Sequence, residues 1–110
     1  MVNQKSIILV PFPYSDLTRK KVRPALILSN QKFNKDEDII ICAITSNIKD
    51  RPYSITISSK DTINKKLVDV SQVRIDTITR IKKDLIIKEI DILNDDIFKK
   101  VLEILKSIFS

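Results

Sequence analysis

Three short stretches of this chain carry side chains able to hold and attack a phosphate. The first is "RKKVR", Arg19 to Arg23, four cations in five positions. Arg23 directly precedes Pro24, so its backbone is held extended, and it leads straight into the apolar run "ALIL". A guanidinium on so stiff a mount can offer a bidentate fork to phosphate oxygens, which an ammonium cannot. Arg19, Lys20 and Lys21 would add a general attraction for a phosphate backbone. The plainer reading is a solvated loop tip running into a strand. The second stretch is "AITSN", residues 43–47, where Thr45 and Ser46 end an apolar run with two hydroxyls. These can donate to a phosphate oxygen, or simply close the strand and open a turn. The third is "SQVRIDT", residues 71–77. Arg74 and Asp76 stand two apart on a strand and so share a face. In solvent such a pair is worth under about 1 kcal/mol; in a cleft it is a cation beside a base.

What is missing narrows the chemistry. There is no histidine and one cysteine, Cys42. Histidine acid–base pairs and Ser-His-Asp triads are thereby ruled out, and zinc ligation is left almost without ligands. Arg, Lys, Asp, Glu, Ser, Thr and Tyr remain, with neither metal nor cofactor expected. Cys42, inside "IIICAI", reads as a buried structural thiol. Twenty Lys and Arg against 14 Asp and Glu leave a charge of +6, which favours a polyanionic or acidic partner.

The elements that must position these residues follow from periodicity. Strands are expected at 6–12, 23–29, 39–45, 53–58, 67–79 and 86–92. Pro11 demands an edge or a bulge in the first. A phase change near Ser71 and Gln72 suggests a bulge or bend in the fifth. The run at 39–45 is apolar throughout and reads as a central strand covered on both faces. From Asn94, as N-cap, a helix should run to the end. Ile97, Val101, Ile104, Leu105 and Ile108 form its apolar stripe, widened by Phe98, Leu102 and Phe109. So broad a face must be covered by the sheet or by another subunit. Glycine is absent, so positive φ should fall to Asn and Asp, with Asn30, Asn34, Asn47, Asn64 and Asn94 between the apolar runs. One domain, residues 1–110, is expected. It is mainly β (α+β), a small curled barrel with a C-terminal α-helix. No apolar run approaches the roughly 20 residues of a membrane span. The apolar N-terminal stretch reads as a first strand, not a signal peptide.

In order and spacing, "IILVPFPYSDLTRKKVRPALILS", "IIICAITS", "VRIDTI" and the terminal amphipathic helix resemble the MazF/PemK family of type II toxin–antitoxin toxins over nearly the whole chain. The resemblance implies an SH3-like barrel of the CcdB/MazF type with a C-terminal helix, in a cytoplasmic homodimer. It implies a metal-independent endoribonuclease, an mRNA interferase that cleaves single-stranded RNA. A cognate antitoxin would neutralise it by laying an acidic C-terminal segment in the RNA groove, and with that antitoxin it would bind DNA. Carried over residue by residue, the Arg-Pro motif falls on Arg23. The threonine ending the central strand is Thr45, with Ser46 beside it, and the Arg-x-Asp pair is Arg74 and Asp76. In this reading Arg23, Thr45 and Asp76 are catalytic, and Arg19, Lys20, Lys21, Ser46 and Arg74 bind substrate. The substrate's own 2′-OH attacks, giving a 2′,3′-cyclic phosphate and a 5′-OH. Asp76 is the easier proton acceptor, because a guanidinium stays protonated.

Two departures stand out. Family members usually begin the first strand with Gly-Asp, where this chain has Lys5 and Ser6. They often carry a glycine in the hairpin loop, where "TRKK" makes a stiffer and more basic loop. A CcdB-like gyrase poison and a plain SH3-like binding module are the competing readings. The Arg-Pro motif and the Thr-Ser strand end favour the ribonuclease.

Overall fold

The uninterrupted apolar run at residues 39–44 becomes the middle of a sheet. The computed structural model describes residues 3–12 and 21–110. Strand β3 (Asp38–Thr45) lies between β2 (Lys21–Ile27) and β5 (Ser71–Lys82). Beyond β2 come β1 (Ser6–Phe12) and then β6 (Lys88–Ile92); beyond β5 comes β4 (Ser54–Ile57). All pairings are antiparallel, in the order β4-β5-β3-β2-β1-β6. A single helical turn, α1 (Gln31–Asn34), joins β2 to β3, and Asn30 caps it by accepting from Phe33 N at 3.0 Å. The chain ends in helix α2 (Asp95–Phe109).

Both faces of the central strands are buried, which is why their residues do not alternate with polar ones. One core gathers Ile7, Leu26, Cys42, Ile44 and Val73 under Phe98 and Val101 of α2. The other holds Val10, Ala25, Ile27, Ile41 and Ala43. Cys42 is fully buried, and that burial pushes its thiol well above the ordinary thiol range, so it is inert. Helix α2 starts as its sequence requires. Asn94 accepts from Ile97 N at 3.0 Å, and Asp95 and Asp96 sit in the first turn against the helix dipole. Phe98 and Val101 are buried, whereas Leu102 and Phe109 at the edge of the stripe are exposed.

Pro11 sits where its missing N–H does no harm. The Leu9 carbonyl accepts from Ile87 N at 2.8 Å, so odd-numbered β1 residues turn their backbone groups toward β6. The β1–β6 ladder ends at Leu9 paired with Lys88, leaving no partner strand at Pro11 on that side among the described residues.

The sheet curls until its two edges nearly meet. After β4 the chain bridges Thr62 to Leu93, and Ile63 N donates to Ile92 O at 2.8 Å. Asp91 completes this seam. Fully buried, its carboxylate accepts from Asn64 N (3.0 Å), Lys66 N (2.6 Å) and Ile92 N (2.7 Å). Burial pushes the carboxyl upward, but the hydrogen bonds it accepts, chiefly from the three backbone donors, outweigh this and hold it below its ordinary value.

Three sequence expectations are corrected. Residues 67–70 are loop, and β5 runs unbroken from Ser71 to Lys82. The phase change near Ser71 is therefore the loop-to-strand boundary. The true irregularity lies further on. Ala43 faces Arg74 while its neighbour Cys42 faces Ile78, so residues 75–77 bulge out of the ladder and switch β5 from one face to the other. Finally, positive φ does not fall to asparagine. Among the described residues it occurs at Lys5 (79°) and Lys65 (55°). Lys5 occupies the position where the resemblance would place a glycine, and a side chain there costs about 1–2 kcal/mol. Its ammonium reaches Asp95 at 2.6 Å, an exposed pair that returns only part of this. Asn30 and Asn94 serve as helix caps instead, with extended backbones.

Removing the Asp91 carboxylate strands three backbone donors. Asp91→Ala should cost about 3 kcal/mol or more in urea unfolding, and Asp91→Asn should not restore it, since its NH₂ would meet a donor. Because the folded carboxyl titrates below its ordinary 3.8, the wild type holds this contribution above that pH. It loses it as pH falls through the lower folded value, and the Asp91→Ala stability curve should be flatter there.

Candidate active site

Pro24 opens the site. Leu28 N donates to Ile40 O at 2.9 Å, and Leu26 pairs with Cys42. Bonded pairs recur every two residues in an antiparallel ladder. The next bond would therefore run from residue 24 to Ile44 O, and proline has no N–H to make it. The β2–β3 ladder accordingly ends at Ala25 paired with Ala43. Beyond that point the two strand ends wall a cleft of about 470 Å³, with Arg23 and Pro24 on one strand and Ile44, Thr45 and Ser46 on the other. Consecutive residues line it because its wall is a pair of parted strand edges and not one sheet face. Carrying the register two residues past Ala25–Ala43 puts Arg23 opposite Thr45.

The far wall comes from the loop that closes the barrel seam and from β6. Lys66, Leu67, Val68 and Asp69 line it, with Lys88 and Ile90 of β6. Three cations, Arg23, Lys66 and Lys88, thus share the cleft with one acidic residue, Asp69, and with aliphatic side chains. Such a lining suits a ligand with a negatively charged backbone and apolar edges. The Lys66 backbone is the group held by Asp91, so the seam also fixes the cleft wall.

Thr45 is held for donation. Its Oγ1 accepts from Asn47 N at 3.1 Å, which orients the hydroxyl and leaves its hydrogen to give. The loop after it is clipped by Gln72, which stands opposite Thr45 on β5 and is buried. Its amide donates to Lys49 O (2.8 Å) and Ser54 Oγ (3.1 Å), and accepts from Arg51 Nη1 and, weakly at 3.4 Å, from Lys49 N. Arg51 Nη1 also donates to Asn47 O at 2.9 Å. Every donor and acceptor of the amide is used, as a buried polar side chain demands.

Of the residues singled out from sequence, Arg23, Thr45 and Ser46 line this one cleft. Arg23 is half-buried and its Nε is shielded from solvent. Arg74 lies two pairs along from Gln72, opposite Ala43 and Ser54. It is half-buried, and its Nε has no hydrogen-bond partner among the described residues. Asp76 sits exposed in the β5 bulge; it takes a long 3.4 Å bond from the Thr77 hydroxyl and is not part of the cleft wall. Lys21 is exposed at the start of β2, and Arg19 and Lys20 lie outside the described residues. Sequence reasoning missed Lys66, Asp69, Lys88 and Gln72. For Gln72 there was a signal, a polar residue next to a run of strand positions due for burial. The other three come to the cleft only through the closure of the seam.

No helix among the described residues is long and apolar enough to cross a membrane. The family model described as "PemK-like, MazF-like toxin of type II toxin-antitoxin system" matches residues 3–109. Comparison with curated proteins yields no match. Among solved structures, an endoribonuclease in complex with its cognate antitoxin from a mycobacterial species aligns with a TM-score of 0.79 at 17% identity. That alignment covers 99% of this chain and 95% of that one. The Mycobacterium tuberculosis toxin MazF-mt6 aligns with a TM-score of 0.75 at 17% identity, over 94% and 95%. A MazE-MazF structure from Deinococcus radiodurans aligns with a TM-score of 0.77 at 19% identity, over 98% and 95%. At these identities the structural likeness establishes the shared fold, a curled β-sheet with a C-terminal helix.

Gln72→Leu should free the loop at 46–53. Amide hydrogen exchange there should quicken by roughly 5- to 10-fold, the worth of about one hydrogen bond, while β1 and β2 amides stay unchanged.

Proposed function

This chain belongs to the PemK-like, MazF-like toxin family of type II toxin–antitoxin systems, and from that premise we propose that it is an endoribonuclease that cuts single-stranded RNA without a metal ion. The single observation that carries this reading is the placement of Arg23 and Thr45 on facing strand ends of one cationic cleft. The substrate supplies its own nucleophile, the 2′-OH next to the scissile phosphate. Attack on phosphorus places extra negative charge on the non-bridging oxygens. Arg23 is extended by the following proline and presents a fixed fork to them; one such preorganised donor contributes about 10²- to 10³-fold. The Thr45 hydroxyl, oriented by Asn47 N, donates to one of the same oxygens, and Ser46 stands beside it. Arg74, with its buried and unmet Nε–H, holds a flanking phosphate, and Arg19, Lys20 and Lys21 draw the strand in. The products are a 2′,3′-cyclic phosphate and a 5′-OH.

The same cations suit a protein inhibitor. An acidic, partly apolar segment of a cognate antitoxin would fold onto Arg23, Lys66 and Lys88 and exclude RNA. Of the structural relatives above, one is an endoribonuclease in complex with its cognate antitoxin and another is a MazE-MazF structure. The working unit is proposed to be a homodimer.

Incubation of the purified protein with mixed RNA, followed by mapping of fragment ends, tests this directly. Cleavage should leave 5′-OH ends and persist in excess EDTA. Arg23→Ala and Thr45→Ala should each lose about 10²-fold or more in rate with an unchanged circular dichroism spectrum. Full activity of Arg23→Ala would refute the assignment.

A further inference from the structure

We propose that Asp69 is the general base of the reaction, presented to the 2′-OH by a loop anchored on both sides of it. The proposal rests on the ribonuclease reading above. Chemistry sets the requirement. Something must take the 2′-OH proton, and the chain has no histidine. The basic residues of the cleft, Arg23, Lys66 and Lys88, are donors suited to the developing negative charge. A carboxylate is the remaining acceptor. Asp69 is the only carboxylate among the described residues lining the cleft, whereas Asp76 stands outside it.

The loop is built to hold this group still. Upstream, the buried Asp91 carboxylate grips Asn64 N and Lys66 N. Between these anchors and Asp69, Leu67 is buried in the core, while its neighbour Val68 is 93% exposed. Downstream, the Ser71 hydroxyl donates to the Asp69 carbonyl oxygen at 2.9 Å, just as β5 begins. Residue 69 is thus fixed through its own backbone while its side chain stays open to solvent. The groups that would bind the phosphate, Arg23 and Thr45, line the same cleft.

The 2′-OH gives its proton to the Asp69 carboxylate. Its oxygen forms a bond to phosphorus as the bond from phosphorus to the 5′-oxygen breaks. The departing oxygen takes a proton from water, which the open cleft admits, and Asp69 returns its proton to solvent.

The test compares Asp69→Asn, Asp69→Glu and Asp76→Asn for cleavage of a defined RNA and, separately, for binding of its uncleavable 2′-deoxy analogue. Asp69→Asn should lose about 10²- to 10⁴-fold in cleavage and bind the analogue as tightly as wild type or more so, since a negative charge has gone. Asp69→Glu should keep more activity than Asp69→Asn, and Asp76→Asn should stay within about threefold of wild type. Asp69→Asn within threefold of wild type, or a loss matched by weaker binding, would overturn the proposal. So would a large loss in Asp76→Asn alone. Failure of the wild type itself to cut RNA would instead remove the ribonuclease reading, and the base with it.

Discussion

Pro24 has no hydrogen to give to the Ile44 carbonyl, and the ladder between β2 and β3 stops there. Much of the site depends on that one missing bond. A fully zipped pair would bring the strand ends together and leave Arg23 and Thr45 as neighbours on a plain sheet. Parted, the ends become two walls. The same ring also holds the backbone of the residue before it extended, so Arg23 lines the opening from a stiff mount. Pro11, by contrast, falls beyond the end of the β1–β6 ladder and disturbs nothing. Two prolines thirteen residues apart in one hairpin do different work because their nitrogens face different neighbours.

The opening would be of little use if its other walls were loose. Two buried polar side chains prevent this. Gln72 uses its whole amide to clip the loop that follows Thr45, and Asp91 uses its carboxylate to lay the loop at 62–70 along β6. Each is costly to bury and is kept only because every lone pair or N–H it brings finds a partner. The core reaches both loops as well, through Ile44 and Leu67 in one apolar cluster. Stability and cleft geometry are therefore coupled at these points.

A basic surface, taken alone, says little about function. Here the cations gain meaning from position. Arg23, Lys66 and Lys88 arrive from a strand, a loop and the edge strand, far apart in the chain, and face one aliphatic-floored cleft. Membership of a toxin family and a cleft of this composition point the same way.

The amino-acid sequence by itself determined the elements that are decided locally. The first strand, the central strand, and the capped terminal helix appear close to where periodicity and Asn94 place them, because alternation, helical spacing and side-chain capping act within a few residues. It also marked Arg23, Thr45 and Ser46, since a stiffened arginine and a hydroxyl-ended strand are visible in one dimension. Tertiary structure alone decided the bulge at 75–77, which arises from β5 having to serve both faces, and the positive φ at Lys5 and Lys65, set by where the chain must turn against β6 and α2. It likewise decided that Asp69, Lys66 and Lys88 line the cleft and that Asp76 does not. Those outcomes depend on how the sheet curls and closes, and contacts between residues distant in the chain leave no local periodicity to read.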